Sequence, residues 1–369
     1  MKICFIISGN NIFFDRMGEY FVKKGNEIHA VTLHHPENKI KGVNYHFIGE
    51  IKPKHIFSNF YKYLTIKRYI KQCIKPDIIS AFFITQCGWL GAFIGIHPFI
   101  LHVMGSDFLL APRENKLKIP FNNYALRKAD VILSESDFLK NGISKIRKTD
   151  KNNFVIQFGV KLDLFKPNLN INSLRKELDI ANGYVIISPR NNKPLYNHDI
   201  VIKAFSEVRK KKPNGYLLLK AQNANKKEEL ENIAREYGVL DKVRFFGFVP
   251  LKELPLYYNL ADVFVSVPSS DSVPVTLQEA MACGVPPIVT DLPAVKEWVQ
   301  DGINGYVVPI RDSNSLANAI LKTLDSKNNR EEFIKYNLEL VKEKSDYFRN
   351  MSKIENIYYG LLKYKSIDN

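Results

Sequence analysis

Short apolar runs alternate with stretches of helical periodicity along the whole chain, and that alternation limits the fold more than any other feature. Parallel strands need a crossover between them, and a helix supplies it, so the repeat builds parallel sheets covered by helices. Runs over residues 2–8, 27–33, 78–83, 99–104, 130–134 and 153–157 read as a first set of strands. Residues 158–183, FGVKLDLFKPNLNINSLRKELDIANG, break the pattern. A second set then follows at 184–188, 216–220, 243–246, 263–267, 287–290 and 306–308. Two doubly wound α/β domains account for 369 residues better than one core does. In such sheets ligands bind outside the carboxyl ends of the strands, so those ends hold the candidate site residues.

Composition narrows the class further. A hydrophobic content of 45% with 25% charged residues is ordinary for a globular protein. Cys4, Cys73, Cys87 and Cys283 show no paired or metal-ligand spacing, as expected of reduced thiols in a cytoplasmic protein. The opening MKICFIIS is too short an apolar stretch for a signal peptide and reads as a buried strand. Residues 78–104 carry no Asp, Glu, Lys or Arg and have the length of a membrane span. Gln86, His97 and Pro98 interrupt them, and strand (78–83), helix (85–95), strand (99–104) accounts for the same residues.

The net charge of +15 is uneven: Lys and Arg exceed Asp and Glu by 11 in residues 1–165 and by 4 in the rest. Residues 51–76 hold seven Lys/Arg and no acid. Phe57, Phe60, Tyr61 and Leu64 fall there at helical spacing, with Lys62, Lys67 and Arg68 among them. Such a helix can lie on an anionic membrane surface. The plainer alternative packs the aromatic stripe on the core and leaves the lysines solvated. No nucleic-acid motif accompanies the charge, so no nucleic-acid partner is expected.

The densest chemistry lies in residues 261–291, ADVFVSVPSSDSVPVTLQEAMACGVPPIVTD. An apolar run, Val263 to Val267, ends in Pro268-Ser269-Ser270, and a helical pattern opens near Val275 and closes at Gly284. A helix start offers unpaired N–H groups and a positive dipole end, which together favour anions. Asp271 stands in the loop before that start, and Glu279 stands about one turn inside the helix. An anion cradle with an acid on each side suits a sugar nucleotide. Its pyrophosphate is anionic, and its two sugars present hydroxyls for carboxylates to accept.

The segment resembles glycosyltransferase family 4, retaining nucleotide-sugar-dependent enzymes of GT-B fold. Their signature is an acid, seven residues, Glu, then Ala-Met-Ala-x-Gly-x-Pro. Here it reads Asp271, seven residues, Glu279, then Ala280-Met281-Ala282-Cys283-Gly284-Val285-Pro286. The usual first acid is Glu, so Asp271 shortens the reach by one methylene. Phe158-Gly159-Val160 with Asp163 to Pro167 is similar to the family's interdomain segment. Residues 243–250, VRFFGFVP, with Leu254, Tyr258 and Ala261-Asp262, are similar to the part bordering the nucleotide base. Asp301 to Tyr306 resembles the turn after the donor helix. The resemblance implies two Rossmann-like domains facing a central cleft. Residues 1–165 would bind the acceptor, 166–345 the nucleotide sugar, and 346–369 would form a helix returning to the first domain.

The resemblance also assigns roles. Arg190, after the first strand of the second domain, would meet the donor pyrophosphate. The family's lysine five residues on is Leu195 here, so Lys193, or else Lys220, would supply the second cation. Backbone amides over Ser272, Val273, Pro274, Val275 and Thr276 would join Arg190 in neutralising the departing diphosphate. Asp271 would hold the donor sugar at the catalytic centre, and Glu279, taken as a group outside the core, would hold the ribose hydroxyls. Phe248 and Gly9 complete the donor side. Gly105, Ser106 and Asp107 resemble the acceptor side, where Asp107 would bind the acceptor or assist proton transfer. An ordinary helix cap is the alternative for Asp107. Ser134-Glu135-Ser136 reads as a turn and cap.

His34, His35 and His46 gather no acids, and no Asp-x-Asp stands at a strand end. No essential metal or other cofactor is therefore expected, since Arg and helix N–H groups can neutralise a diphosphate. The expected activity is retaining transfer of a hexose from a nucleoside diphosphate sugar to a glycan or lipid-linked acceptor. The expected setting is cell-surface glycan synthesis, in the cytoplasm or peripherally at the inner face of the plasma membrane. With no carboxylate placed as nucleophile, front-side attack assisted by the leaving phosphate is the expected route. The alternatives are a nucleotide-sugar epimerase of the same fold and a catalytically silent binding or assembly subunit.

Overall fold

Residues 1–49, 56–110, 115–221 and 223–365 are described by the structure, a computed structural model, the side chains of 56–60 and 364–365 excepted. The backbone packs as two units: Met1–Phe158 with the chain from Arg349 onward, and Gly159–Phe348.

The first unit is built on seven parallel strands: β1 (Lys2–Ile7), β2 (Glu27–Thr32), β3 (Val43–Phe47), β4 (Ile78–Phe82), β5 (Phe99–Val103), β6 (Val131–Ser134) and β7 (Asn153–Val155). They lie in the order β3-β2-β1-β4-β5-β6-β7, so the winding reverses between β1 and β4. Strands near the middle are mostly apolar because helices cover both faces of the sheet. Every residue of β4 and β5 is buried, and between them lie an irregular turn, Ile84–Gly88, and the short helix Trp89–Ile94. Among the described residues no helix is long and apolar enough to cross a membrane. The strand absent from the sequence reading is β3, VNYHF, an edge strand with no buried residue and therefore no apolar run to betray it.

Helix α1 (Ile12–Lys23) follows β1, with Asn11 as its cap: the Asn11 side chain accepts from the N–H groups of Phe13 and Phe14. The last helix, Tyr347–Lys365, is part of the first unit from Arg349 on. Its Tyr358 is wholly buried and shares a 2.7 Å hydrogen bond with the Ser80 hydroxyl of β4. The same hydroxyl lies 3.0 Å from Nε2 of His102 on β5. Burial pushes His102 down to about 3, so its ring is neutral and stacks on Phe82 with centroids 4.4 Å apart. These polar groups fix where the helix lands on the sheet.

The second unit repeats the winding with six strands: β8 (Tyr184–Ser188), β9 (Gly215–Lys220), β10 (Val243–Phe246), β11 (Val263–Ser266), β12 (Pro287–Thr290) and β13 (Tyr306–Val308). Their order, β10-β9-β8-β11-β12-β13, reverses between β8 and β11. The chain enters this unit after Phe158 rather than after residue 165. Val160 and Phe165 belong to the second core, where the Phe165 ring lies 6.1 Å from that of Tyr258. Gly159 makes the entry at φ +78°, and a Cβ there would come within 2.8 Å of the Ser345 carbonyl oxygen. Val160 N–H donates to that oxygen at 2.7 Å, and Tyr347 N–H donates back to Val160 at 3.1 Å.

Candidate active site

The reversal between β8 and β11 is where a doubly wound sheet opens to a ligand, and three sequence candidates meet there. Strand β8 runs on into Pro189-Arg190. Strand β11 runs into the loop that carries Asp271 and leads to helix α2 (Val275–Ala282). Pro274 precedes α2 in extended conformation and supplies no side-chain cap. Arg190 lies against this start: its Nη1 donates to Thr276 Oγ1 at 3.3 Å, and its Nη2 donates to Asp271 Oδ2 at 2.7 Å. The guanidinium also sits over the ring of Tyr196, 4.3 Å from its centroid.

Both members of the Arg190–Asp271 pair are largely shielded from water. Burial pushes the Asp271 carboxyl above its ordinary value, and Arg190 and the Ser272 N–H oppose that rise. The Ser272 amide donates to Asp271 Oδ1 at 3.0 Å. Ser272 is itself buried, and its hydroxyl has no partner among the described residues. The expected amide cradle over residues 272–276 is narrower than the sequence implied. Pro274 has no N–H to give, Ser272 turns its own toward Asp271, and the Val273 side chain faces the core.

Glu279 differs from its expectation as a group outside the core. It is only 3% exposed, and the hydroxyl of the fully buried Tyr258 donates to its Oε2 at 2.9 Å. Tyr258 therefore braces the carboxylate from within. Lys220, the last residue of β9, is half-buried, and the charges of Glu279 and Arg190 both act on it. Lys193 lies exposed in the turn before Pro194–Tyr196, and Phe248, after β10, is 86% exposed. Among the described residues the Arg190 side chain bonds Asp271 and Thr276 and meets neither Lys193 nor Phe248. Tyr196 escaped the sequence reading, because an aromatic ring under a guanidinium has no spacing signature.

The first-unit candidates have other work. Gly9 packs against His34, whose Cβ a Cβ at Gly9 would approach to 3.1 Å. Ser106 is exposed beside Gly105, which takes φ +110°. Asp107 is 5% exposed, and its carboxylate is committed to backbone. Oδ2 accepts from Ile84 N–H at 2.7 Å, and Oδ1 accepts from Gly105 at 3.0 Å and Met104 at 3.2 Å. Burial raises it to about 6 against the pull of those N–H groups. Asp107 thus ties together the chain leaving β4 and β5. Ser136 does cap its helix, accepting from Leu139 N–H at 3.2 Å. Glu135 beside it is buried and raised to about 8, with Arg16 opposing the rise. Among the described residues no three His, Cys, Asp or Glu gather as metal ligands would.

Two doubly wound parallel sheets place the chain in the GT-B class of fold. The chain superposes on HepE from Anabaena, solved in complex with UDP, with a TM-score of 0.82 over 98% of this chain and 100% of that one, at 17% identity. Residues 170–339 match the family "Glycosyl transferases group 1", and residues 2–136 match "Glycosyl transferase 4-like". The chain belongs to these group 1, family 4-like glycosyltransferases. It is 27% identical over 170 residues to the GDP-mannose-dependent alpha-(1-6)-phosphatidylinositol monomannoside mannosyltransferase of Mycolicibacterium smegmatis, covering 44% of each chain. It is 23% identical over 378 residues to N-acetyl-alpha-D-glucosaminyl L-malate synthase of Bacillus anthracis, covering 97% of this chain and 95% of that protein. The chain spans about half the length of most of the curated relatives it matches.

Proposed function

We propose that this chain moves a hexose from a nucleoside diphosphate sugar to a glycan or lipid-linked acceptor, with retention of anomeric configuration. The observation that carries the reading is Arg190, held between Asp271 and Thr276 at an uncapped helix start. A departing diphosphate gains negative charge as the bond from the sugar breaks. Arg190 and the N–H groups of Val275 and Thr276 would neutralise that charge as it develops. Asp271 would hold hydroxyls of the transferred sugar, and Glu279 those of the ribose. In front-side attack the acceptor oxygen bonds to the anomeric carbon on the face that the phosphate leaves. Its proton passes to the departing phosphate oxygen. The positive charge comes from protein groups, so turnover should persist in a chelator.

The donor is left open between bases. The mannosyltransferase relative is named for GDP-mannose, and HepE was solved with UDP. We place the reaction in cell-surface glycan synthesis at the inner face of a membrane. Arg68, Lys71 and Lys75 are exposed within the basic 51–76 stretch, whose Phe57 and Phe60 side chains lie outside the described residues. Lys67, by contrast, donates to the Phe93 carbonyl at 3.1 Å. The test is a panel of UDP- and GDP-sugars with nuclear magnetic resonance of the anomeric product. Nucleoside diphosphate release with retention supports the reading, and an inverted product removes the retaining mechanism. A free epimerised nucleotide sugar would make the chain an epimerase. Nucleotide binding without release from any donor would make it a silent subunit.

A further inference from the structure

Part of the lysine and arginine excess of the first half of the chain gathers around one hollow, on the sheet edge opposite the carboxyl strand ends. The hollow measures about 430 Å³ and opens at the amino ends of β5, β6 and β7; its ionisable lining is His97, Arg127, Lys128, Asp130, Arg147 and Lys151. Two helices, Lys118–Lys128 and Asp137–Arg147, end here. Cations in a last helical turn are ordinary, because they meet the negative end of the helix dipole. Here the arginine of each helix also reaches the end of the other. Arg127 Nε donates to the Ile146 carbonyl at 3.4 Å, and Arg147 Nη2 donates to the Ala129 carbonyl at 3.0 Å. Arg147 Nη1 donates to the Lys151 carbonyl at 3.4 Å.

These bonds fix the guanidinium groups without neutralising them. Burial pulls Arg147 below its ordinary value, with the charge of Asp130 opposing the fall. Among the described residues Arg127, Lys128, Arg147 and Lys151 form no ion pair. The one carboxylate in the lining, Asp130, spends its Oδ2 on His97 Nδ1 at 2.6 Å and on the Phe99 N–H at 2.7 Å. Four cations therefore share a hollow with a single engaged acid. Like charges so gathered raise the free energy of the folded chain, and a bound anion lowers it. An adjoining hollow shares Arg127 and Lys128 and is walled by Pro120 and Tyr124, with the Lys128 ammonium 5.9 Å from the Tyr124 ring centroid. Guanidinium forks match the oxygens of a phosphate, and lysine adds a point charge. We propose that the hollow binds a phosphate group, either free or as the head of a lipid whose apolar part lies along Pro120 and Tyr124. The site belongs to the first unit, and it does not depend on the sugar-nucleotide reading.

The experiment is calorimetric titration of the whole protein with inorganic pyrophosphate, in an Arg190→Gln background that strips the second unit's site of its cation. A binding event should remain. Replacing Lys128 and Lys151 together by Gln should weaken it by about 10- to 100-fold, the range for losing charge-assisted contacts. Lys145 and Lys148 are exposed on the same stretch but outside the lining. Replacing that pair by Gln removes the same charge and should weaken the event by less than about threefold. Arg147→Gln should match the first pair, and if it does not fold the exposed lysines still carry the reading. The same comparison in the wild type serves if Arg190→Gln does not fold. Sedimentation with phosphatidylcholine vesicles, with and without phosphatidic acid, separates the two sources. Vesicle binding that needs phosphatidic acid and is lost in the Lys128/Lys151 variant assigns a lipid head. Pyrophosphate binding without vesicle binding assigns a free phosphate. Equal losses in the two lysine pairs, or no binding event at all, would overturn the site.

Discussion

Each sheet places an aspartate a few residues past a strand end, Asp107 buried and Asp271 partly so, and the two aspartates are used in opposite ways. In the first unit Asp107 accepts backbone N–H groups from Ile84, Met104 and Gly105. In the second, Asp271 takes one backbone N–H and spends its other oxygen on Arg190. A carboxylate saturated by backbone is fixed for good, because moving it would strand several buried donors. One held by a side chain can be released when a competing anion takes the side chain. Position at a strand end therefore nominates an acid, and the identity of its partners decides whether it serves folding or chemistry.

Asp271→Asn attacks the exchangeable member of the comparison and should have the largest effect. Turnover should fall by on the order of a hundredfold, with nucleotide affinity changed far less, because its proposed partners lie on the transferred sugar. A matching loss of nucleoside diphosphate affinity would move Asp271 from the sugar to the phosphate or ribose site.

Asp107→Asn attacks the saturated member. It should cost about 2 kcal/mol of stability, the scale for disturbing buried backbone donors, while nucleotide affinity holds. The pH dependence sharpens the test. Asp107 is raised from 3.8 to about 6, so the folded protein binds its proton more tightly than the unfolded chain. Its contribution to stability is complete below 3.8 and is lost as pH rises through about 6. Urea melts at pH 4.5 and 7.5 should therefore show the wild type gaining on the Asn variant at the lower pH. A constant gap would mean that Asp107 does not titrate as placed here.

Glu279→Ala lies between the two cases, because Glu279 is both buried and proposed to meet the ribose. Nucleotide affinity should fall by about 1–3 kcal/mol, and stability should drop as well, since the Tyr258 hydroxyl loses its acceptor. Tyr258→Phe separates these effects: it should lose about 1 kcal/mol of stability and keep most of the nucleotide affinity. If the Phe variant loses nucleotide binding as fully as the Ala variant, Glu279 acts only through the fold. The smallest effect concerns surface charge. Replacing Arg68, Lys71 and Lys75 by Gln should weaken sedimentation with anionic vesicles at low salt, each contributing about 1 kcal/mol at most. Equal sedimentation of variant and parent would leave the stretch as a solvated face.

The comparison also shows what a sequence discloses. Buried parallel strands such as β4 and β5 are legible because covering both faces demands unbroken apolar runs. The edge strand β3 is not, since water on its exposed side removes that demand. Asp271 and Glu279 are legible through their spacing around a helix start, and Arg190 through the family resemblance alone. The Tyr196 ring under Arg190, the Tyr258 brace on Glu279 and the three donors around Asp107 are not, because each joins groups whose separation along the chain carries no periodic signal. The domain boundary slipped for a related reason: Phe165 looks like linker in one dimension and is core in three.

The pairing of Arg190 with Asp271 has a further consequence for the order of events. A cation that rests on its own carboxylate is never bare, so an incoming phosphate must win it by displacement rather than fill a vacancy. Small stray anions, offering one weak contact, compete poorly against a tethered rival 2.7 Å away. A ligand that brings two phosphates and a ribose has enough additional contacts to succeed. On the proposed reading, its arrival would free the Asp271 oxygen that Arg190 holds just as a sugar comes alongside, so a latch on the arginine would become a grip on the sugar.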